Sequence, residues 1–144
     1  MDKALSNFAL ARKAGRLELG EEPAGAAARS GKAYLMVVAQ NASDHTWRRA
    51  KSFVSGTDQI VLRIPYTKEE LGLIVGRSIL AIAAFTDPAM AAGFLKAIPD
   101  QEAYTQELEA LLARSQRMYK RQQEAKAHDR NKRFGKAGAG AKKH

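Results

Sequence analysis

Short apolar runs alternate with helix-capping signals along residues 1–98, and this alternation constrains the fold more than any other feature of the chain. Residues 33–39, 60–64 and 79–85 are almost continuously apolar. Runs of this length and content are typical of strands buried on both faces, and they are far shorter than the roughly 20 residues of a membrane span. The sequence therefore predicts three buried strands, and the short segment 17–19 predicts a fourth.

Residues that start and stop helices stand between these runs. Asp, Ser and Thr accept hydrogen bonds from the first N–H groups of a helix, and Gly commonly follows the last helical residue. Helices alternating with buried strands predict a three-layer α/β/α sandwich with a small mixed sheet. The predicted helices begin near Asp2, Glu21, Ser43 or Asp44, Thr67 and Asp87, and they end near Gly15, Gly31, Val54, Gly76 and Ile98.

Charge is distributed unevenly and suggests the domain organisation. Residues 1–98 carry 13 basic and 9 acidic side chains, residues 99–113 carry 4 acidic ones, and residues 114–144 carry 11 basic and 2 acidic ones. We expect a compact domain over 1–98, a helical extension over 99–126 and a basic tail over 127–144 that is disordered or marginally helical. A basic tail favours a polyanionic partner.

The extension carries a mainly apolar stripe at helical spacing. The stripe either packs on its own domain or docks on a protein partner or a second copy of the chain, and the spacing agrees with both readings. Its members are Tyr104, Leu108, Leu111, Leu112, Ser115, Met118 and Tyr119.

The catalytic inventory is thin. The chain has no cysteine, which excludes disulfides, thiol nucleophiles and Cys-ligated metal sites. Glu21 and Glu22 are adjacent on a predicted helix, so their side chains point about 100° apart and suit an acid/base pair poorly. With no nucleotide-binding or hydrolase motif, we expect a non-catalytic protein that uses no cofactor and no metal. The amino-terminal segment lacks an apolar stretch of signal-peptide length, so we expect a cytoplasmic protein.

Basic side chains offer chemistry for binding phosphate groups. Arg12, Lys13 and Arg16 lie near the end of the first helix, and Arg29 and Lys32 lie on either side of Gly31. A further basic helix contains Trp47, whose ring either stacks on a base or packs in the core, and the core is favoured. The basic residues beside Trp47 are Arg48, Arg49 and Lys51.

Three segments carry motifs in a distinctive order and spacing. They read LARKAGRLELGEE at residues 10–22, ARSGKAYLMVVAQNAS at 28–43 and YTKEELGLIVGRSILAIAAFTD at 66–87. In this order they resemble the bacterial ribosomal L-seven-Ae/L-thirty-e-like family, in particular its small YlxQ-type members. The resemblance covers residues 3–98 and implies an α/β/α sandwich that binds RNA. Many members recognise the kink-turn, a sharply bent RNA helix containing sheared G·A pairs.

The resemblance also implies where RNA would bind, in three places: the loop and helix start at residues 20–26, the turn at residues 40–42 and the apolar loop at residues 77–80. A helix start with polar groups can read guanine edges, and an apolar loop can cover unstacked bases. The implied RNA-binding residues are Gly20, Glu21, Glu22, Ala26, Asn41, Arg77, Ser78, Ile79 and Leu80.

The helix start departs from the family pattern. Kink-turn binders typically carry Asn-Glu or Lys-Gln there, with Lys one turn later, whereas this chain has Glu22, Pro23 and Ala26. A carboxylate without that lysine opposes RNA binding electrostatically, so we expect the tail to add affinity through phosphate contacts. The predicted tail contacts are Lys120, Arg121, Lys126, Arg130, Lys132 and Arg133.

The sequence thus favours a non-catalytic RNA-binding protein, associated with the ribosome or with structured, kink-turn-like RNA. The alternative is a protein-interaction or self-associating module that uses residues 104–119, with non-specific polyanion binding by the tail.

Overall fold

The computed structural model describes residues 2–139, with side chains described through residue 131. The chain divides into two compact units, Met1–Leu112 and Ala113–His144. The helices are α1 Lys3–Lys13, α2 Glu21–Arg29, α3 Asp44–Val54, α4 Lys68–Ile74, α5 Pro88–Ala97 and α6 Thr105–Ala139, with a 3-10 helix at Gln101–Tyr104. The strands are β1 Leu17–Leu19, β2 Leu35–Val38, β3 Ile60–Arg63 and β4 Ile82–Phe85.

The four strands form one mixed sheet in the order β1-β4-β2-β3. Strand β4 is antiparallel to β1 and to β2, whereas β2 and β3 are parallel. The carboxyl ends of β1, β2 and β3 therefore meet the amino end of β4 at one end of the sheet, which we call the upper end. The opposite end is called the lower end. This strand order decides which loops become neighbours.

Helices cover both faces of the sheet. All four side chains of β2 and all four of β4 are buried, which requires packing on both sides. Helix α1 packs with α4 and α5, and α2 packs with α3. Phe8, Phe85 and Phe94 meet in the core, with ring centroids 5.1 Å apart between Phe85 and Phe94. The predicted α/β/α sandwich with a mixed sheet and a carboxy-terminal helix is confirmed.

Side-chain caps start four of the helices at the predicted places. The Asp2 carboxylate accepts from the Ala4 N–H at 2.7 Å, and Asp87 accepts from the Ala89 N–H at 2.8 Å. Thr67 forms a complete capping box at the start of α4. Such caps satisfy N–H groups that have no partner within the helix.

Three predicted strands are shorter than expected, and β3 ends at Arg63 instead of residue 64. Strand β2 spans Leu35–Val38 within the predicted 33–39, and β4 starts at Ile82 instead of residue 79. The prediction of strand at residues 79–81 is wrong because this segment follows α4 as a loop, with the Leu80 N–H donating to the Lys68 carbonyl at 2.8 Å.

Only part of the apolar stripe of residues 104–119 packs against the core of the first unit. Leu111 is completely buried and Leu108 packs against the core, so the first unit extends past residue 98 to Leu112. The Tyr104 hydroxyl donates to the Arg63 carbonyl at 3.4 Å, on edge strand β3. The start of the stripe therefore packs on its own domain, whereas Leu112 and Tyr119 are 45% and 63% exposed.

Helix α6 continues to Ala139, past residue 127 where the tail was expected to begin. The last five residues of that tail, 140–144, lie outside the described residues.

Candidate nucleic-acid interface

The upper end of the sheet brings the three predicted binding segments together. The Gly20 N–H donates to the Ile82 carbonyl at 2.9 Å, which places the start of α2 beside the start of β4. The Ala39 N–H donates to the Ala81 carbonyl at 2.9 Å, which places the turn after β2 on the other side of β4. Residues 20–22, 40–42 and 77–81 are thus neighbours around one strand end.

The start of α2 is an open helix terminus with a cation above it. Gly20 occupies the N-cap position at φ 95°, a conformation that favours glycine, and no side chain caps the helix. The Arg77 Nη1 atom lies 3.8 Å from the position that a Cβ on Gly20 would occupy. Pro23 has no N–H, and the Gly20 N–H is bonded to Ile82. The donors that this helix start offers to an anion are therefore the Glu21 and Glu22 N–H groups and the Arg77 guanidinium beside them.

The two carboxylates of α2 differ in their partners. Glu21 Oε2 accepts from Arg49 Nε of α3 at 2.9 Å, in a pair whose side chains are 36% and 46% exposed. Such an exposed pair contributes at most about 1 kcal/mol to stability. Glu22 is exposed in the first turn of α2, so it is the carboxylate available to a ligand.

Asn41 connects the turn after β2 to the start of α4. Its Oδ1 accepts from the Lys68 N–H at 2.8 Å, and its Nδ2 donates to Glu69 Oε1 at 2.9 Å. The hydrogen bond from Asn41 lowers the pKa of the Glu69 carboxyl below its ordinary value. Asn41 therefore fixes the turn after β2 against the start of α4 through both the oxygen and the nitrogen of its side-chain amide.

The loop before β4 is held tightly against α4 by a glycine. A Cβ on Gly72 would lie 2.8 Å from the Arg77 carbonyl oxygen and 2.8 Å from the Ile79 Cα. Only glycine therefore allows this approach, and the loop's position depends on it.

The loop presents some of its predicted binding residues and buries another. Arg77 and Ser78 are exposed and Ile79 is 52% exposed, whereas Leu80 is 2% exposed and belongs to the core. Leu73 at the end of α4 is 79% exposed, an apolar surface that the sequence analysis missed because helical spacing alone did not separate it from Ile74.

Of the remaining predicted basic residues, Arg16, Arg29 and Lys32 lie away from the upper end, whereas Arg12 and Lys13 line a hollow with residues 74 and 75 at the end of α4. The Arg16 carbonyl accepts from the Thr86 N–H at 2.9 Å at the lower end, so strand β1 separates Arg16 from Gly20. Arg29 is the last residue of α2, and Lys32 follows it in the connection to β2. Arg12 and Lys13 occupy the last turn of α1. A strand of three or four residues spans about 10 Å, so Arg16 is not a neighbour of Gly20.

Ala26 lies one turn after Glu22 on α2, on a side of the helix that Pro23 in the first turn shares. Ala26 and Lys32 line one hollow of about 320 Å³ together with Glu18. The predicted set is therefore divided between the upper end and the side of α2.

Cations on helix α3 and on the neighbouring strand β3 lie against aromatic rings of α3. The Arg63 guanidinium lies 5.0 Å and the Lys51 ammonium 5.4 Å from the centre of the Trp47 ring, and Arg49 lies 5.3 Å from that of Phe53. Trp47 is half-buried against the core, as the favoured interpretation expected. Arg63, which lies on β3, was missed because its position beside α3 depends on the sheet order.

The predicted tail contacts are only partly described. Lys120, Arg121, Lys126 and Arg130 are exposed on α6, while Lys132 and Arg133 lie outside the residues whose side chains are described.

Within residues 2–139, no group of three or more His, Cys, Asp or Glu side chains is placed to hold a metal ion. No helix in the same part of the chain is both long and apolar enough to cross a bilayer.

Neither a family model nor a curated protein matches the chain. Several solved structures resemble its fold, two of them from Bacillus halodurans and Giardia lamblia. A protein of unknown function from Bacillus halodurans is 22% identical, with a TM-score of 0.63 over 69% of this chain and 100% of that one. A 15.5 kDa RNA-binding protein from Giardia lamblia is 18% identical, with a TM-score of 0.51 over 70% of this chain and 86% of that one. At these identities the likeness concerns the fold.

Proposed function

We propose that this chain is a non-catalytic, cytoplasmic RNA-binding protein that docks the upper end of its sheet on a bent, kink-turn-like RNA helix, in or near the ribosome. The observation that carries the proposal is the convergence of residues 20–22, 40–42 and 77–81 around the start of β4. They overlap the segments 20–26, 40–42 and 77–80, to which the family resemblance assigns RNA binding.

The chemistry of the upper end suits an irregular RNA helix. Arg77 and the open start of α2 offer donors to a phosphate. Glu22 can accept from a guanine amino group, as carboxylates accept from base amino groups elsewhere. Ile79 and Leu73 offer exposed apolar surface to an unstacked base.

The fold likeness to the Giardia RNA-binding protein supports RNA as the class of ligand. It does not distinguish among RNAs, so the choice of a bent helix rests on the upper-end loops and on the resemblance of the sequence.

A titration on three RNAs tests the proposal: a kink-turn, the same duplex without its bulge, and a single strand, each at low and moderate salt. We expect the kink-turn to bind most tightly, and we expect Arg77→Gln to reduce that preference. Lys96→Gln removes an equal charge from α5 and is the matched control. Equal affinity for all three RNAs, unchanged by Arg77→Gln, would refute docking through the upper end.

Self-association is the second candidate function, and the exposure of Leu112 and Tyr119 favours it. Light scattering on the full chain tests it. A dimer that becomes a monomer in the double variant Leu112→Ser/Tyr119→Ser would support self-association, and a monomeric wild type would exclude it at the concentrations used.

A further inference from the structure

The solvent face of α3 is basic and lies beside the upper end. Arg48, Arg49 and Lys51 are exposed there, and Arg63 adjoins them through Trp47. We infer that this face is a second part of the RNA interface, which binds the phosphates of a duplex that flanks the upper-end site. The inference rests on the proposed function and extends it from the three upper-end segments to α3, whose basic residues the sequence marks only as chemistry available for phosphate groups, outside the segments of the family resemblance.

Aromatic rings hold three of the cations in place. Arg63 and Lys51 lie 5.0 Å and 5.4 Å from the centre of the Trp47 ring, and Arg49 lies 5.3 Å from that of Phe53. A cation placed over a ring is attracted by the ring quadrupole, which restricts the long side chain before any ligand arrives. Binding a phosphate then costs less side-chain entropy than it would for freely moving lysines and arginines.

Direct bonds join this face to the upper-end loops. Arg63 Nη1 donates to the Gln40 carbonyl at 3.1 Å, and Arg49 Nε donates to Glu21 Oε2 at 2.9 Å. A guanidinium has five N–H donors, so both arginines keep donors for a second acceptor. The basic face of α3 and the upper-end loops therefore form adjoining surfaces, and an RNA bound at the upper end can contact both.

The character of the face favours phosphate over a protein partner. Protein interfaces centre on buried apolar or aromatic anchors, whereas phosphate contacts require cations and hydrogen-bond donors. The large apolar side chains exposed on the described part of the chain lie elsewhere, and α3 contributes none of them. Those residues are Leu10, Leu73, Ile79, Leu112 and Tyr119.

Matched charge removal tests the inference. The double variant Arg48→Gln/Lys51→Gln removes two charges from α3 and leaves the Arg49–Glu21 pair intact. Lys3→Gln/Lys96→Gln removes two charges from α1 and α5, which pack together away from α3. Full-length proteins are titrated with the kink-turn RNA and the duplex without its bulge over a salt series.

We expect the α3 variant to bind both RNAs roughly tenfold more weakly, with a salt slope smaller by about two, because each phosphate contact contributes nearly one to the slope. It should keep the preference for the kink-turn, which Arg77→Gln should lose. The charge-conserving variant Arg48→Lys/Lys51→Arg should bind nearly as well as the wild type.

Trp47 supplies an independent readout because it is the single tryptophan of the chain. A phosphate bound by Lys51 or Arg63 brings a negative charge close to the Trp47 ring, so RNA should alter Trp47 fluorescence in the wild type and less in the α3 variant.

Three results would overturn the inference. Equal weakening by the α3 variant and by the Lys3/Lys96 control would show a general effect of net charge, and no weakening by the α3 variant would show that the face does not touch RNA. A wild type that binds polyglutamate but neither RNA would instead assign the face to an acidic protein, and would refute the proposed function as well. If the wild type binds RNA and the α3 variant binds it equally well, only the inference about α3 is refuted and the proposed function stands.

Discussion

Gly72 determines how closely the loop before β4 approaches α4. A Cβ at this position would lie 2.8 Å from backbone atoms of Arg77 and Ile79, so Gly72→Ala must displace the loop. We expect a loss of about 1–3 kcal/mol of unfolding free energy, typical of overpacking, together with weaker RNA binding. Urea unfolding and the three-RNA titration measure the two effects.

The matched control is Gly93→Ala on α5. Outside its chain neighbours and the backbone of its own helix, no atom lies within 4 Å of a Cβ at Gly93, so this change should stabilise the helix by about 0.4–1 kcal/mol through the entropy of the unfolded chain. If both alanine variants behaved alike, the close approach at Gly72 would have no energetic consequence.

Tyr66 connects α1 to the segment between β3 and α4. Its hydroxyl donates to Asp2 Oδ2 at 2.9 Å. Burial, followed by the bond to Asp2 and the charges of Asp2 and Glu70, raises the pKa of Tyr66 well above its ordinary value of 10.0. The folded state thus favours the protonated phenol, whose contribution is complete below pH 10.0 and is lost as the pH rises further.

Tyr66→Phe should remove this loss of folding stability at alkaline pH. We expect the unfolding free energy of the wild type to fall more steeply above about pH 10 than that of the variant. Urea unfolding at several pH values checks this, and parallel curves would show that Tyr66 does not contribute to the pH dependence.

Glu22 and Ala26 lie one turn apart on α2, and both are exposed. The combined change Glu22→Asn/Ala26→Lys introduces the residue types that kink-turn binders typically carry, because it removes a repelling carboxylate and adds a cation one turn later. Because neither side chain is buried, we expect little change in stability and roughly tenfold tighter binding to the kink-turn.

The duplex without its bulge separates two causes of a gain in that variant. Improvement on the kink-turn alone would reflect readout of its shape, and equal improvement on both RNAs would reflect charge. Absence of any gain would argue against residues 20–26 as the binding pocket.

At the scale of elements, local signals were predictable and tertiary ones were not. Capping by Asp2, Thr67 and Asp87 depends on neighbours within three residues, so their helices start where the sequence indicates. The start of β4 was misplaced because the apolar Ile79 looks like strand, while its exposure follows from the packing of the loop on Gly72.

Helix α6 belongs partly to the first unit, and truncation should reveal this. A chain ending at residue 98 loses Leu111, which is completely buried, and the bond from Tyr104 to Arg63. We expect it to be less stable than a chain ending at residue 112 by at least about 2–5 kcal/mol, the cost of deleting a buried leucine side chain. Urea unfolding of the two truncated chains measures the difference. Equal stability would show that residues 99–112 contribute nothing to the core.

At the scale of the whole molecule, the position of the candidate site depends on strand direction. Arg16 and Gly20 are four residues apart, yet they lie at opposite ends of the sheet because β1 runs between them. Arg63 and Gln40 are distant in sequence, yet they bond at 3.1 Å because β2 and β3 are parallel neighbours. Composition and capping do not encode strand order. The upper-end loops could therefore be predicted as binding segments only from the family resemblance.

The formal net charge of the molecule lies entirely in its second unit. Residues 1–98 hold 13 basic and 9 acidic side chains and residues 99–112 add 4 acidic ones, so the first unit is neutral. Residues 113–144 hold 11 basic and 2 acidic side chains, a net of +9. Under the proposed function, the upper end of the neutral first unit selects the RNA shape, and we expect the basic second unit to supply the long-range attraction to phosphates.

Removing the second unit should separate affinity from selectivity. A chain of residues 1–112 should keep its preference for the kink-turn over the unbulged duplex, because the upper-end loops remain. Its overall affinity should fall, and its salt slope should decrease by about one for each phosphate contact that the second unit made. A titration between about 50 and 200 mM salt measures both quantities. If the truncated chain kept the full salt slope, the phosphate contacts would belong to the first unit, and the basic face of α3 would be their most direct source.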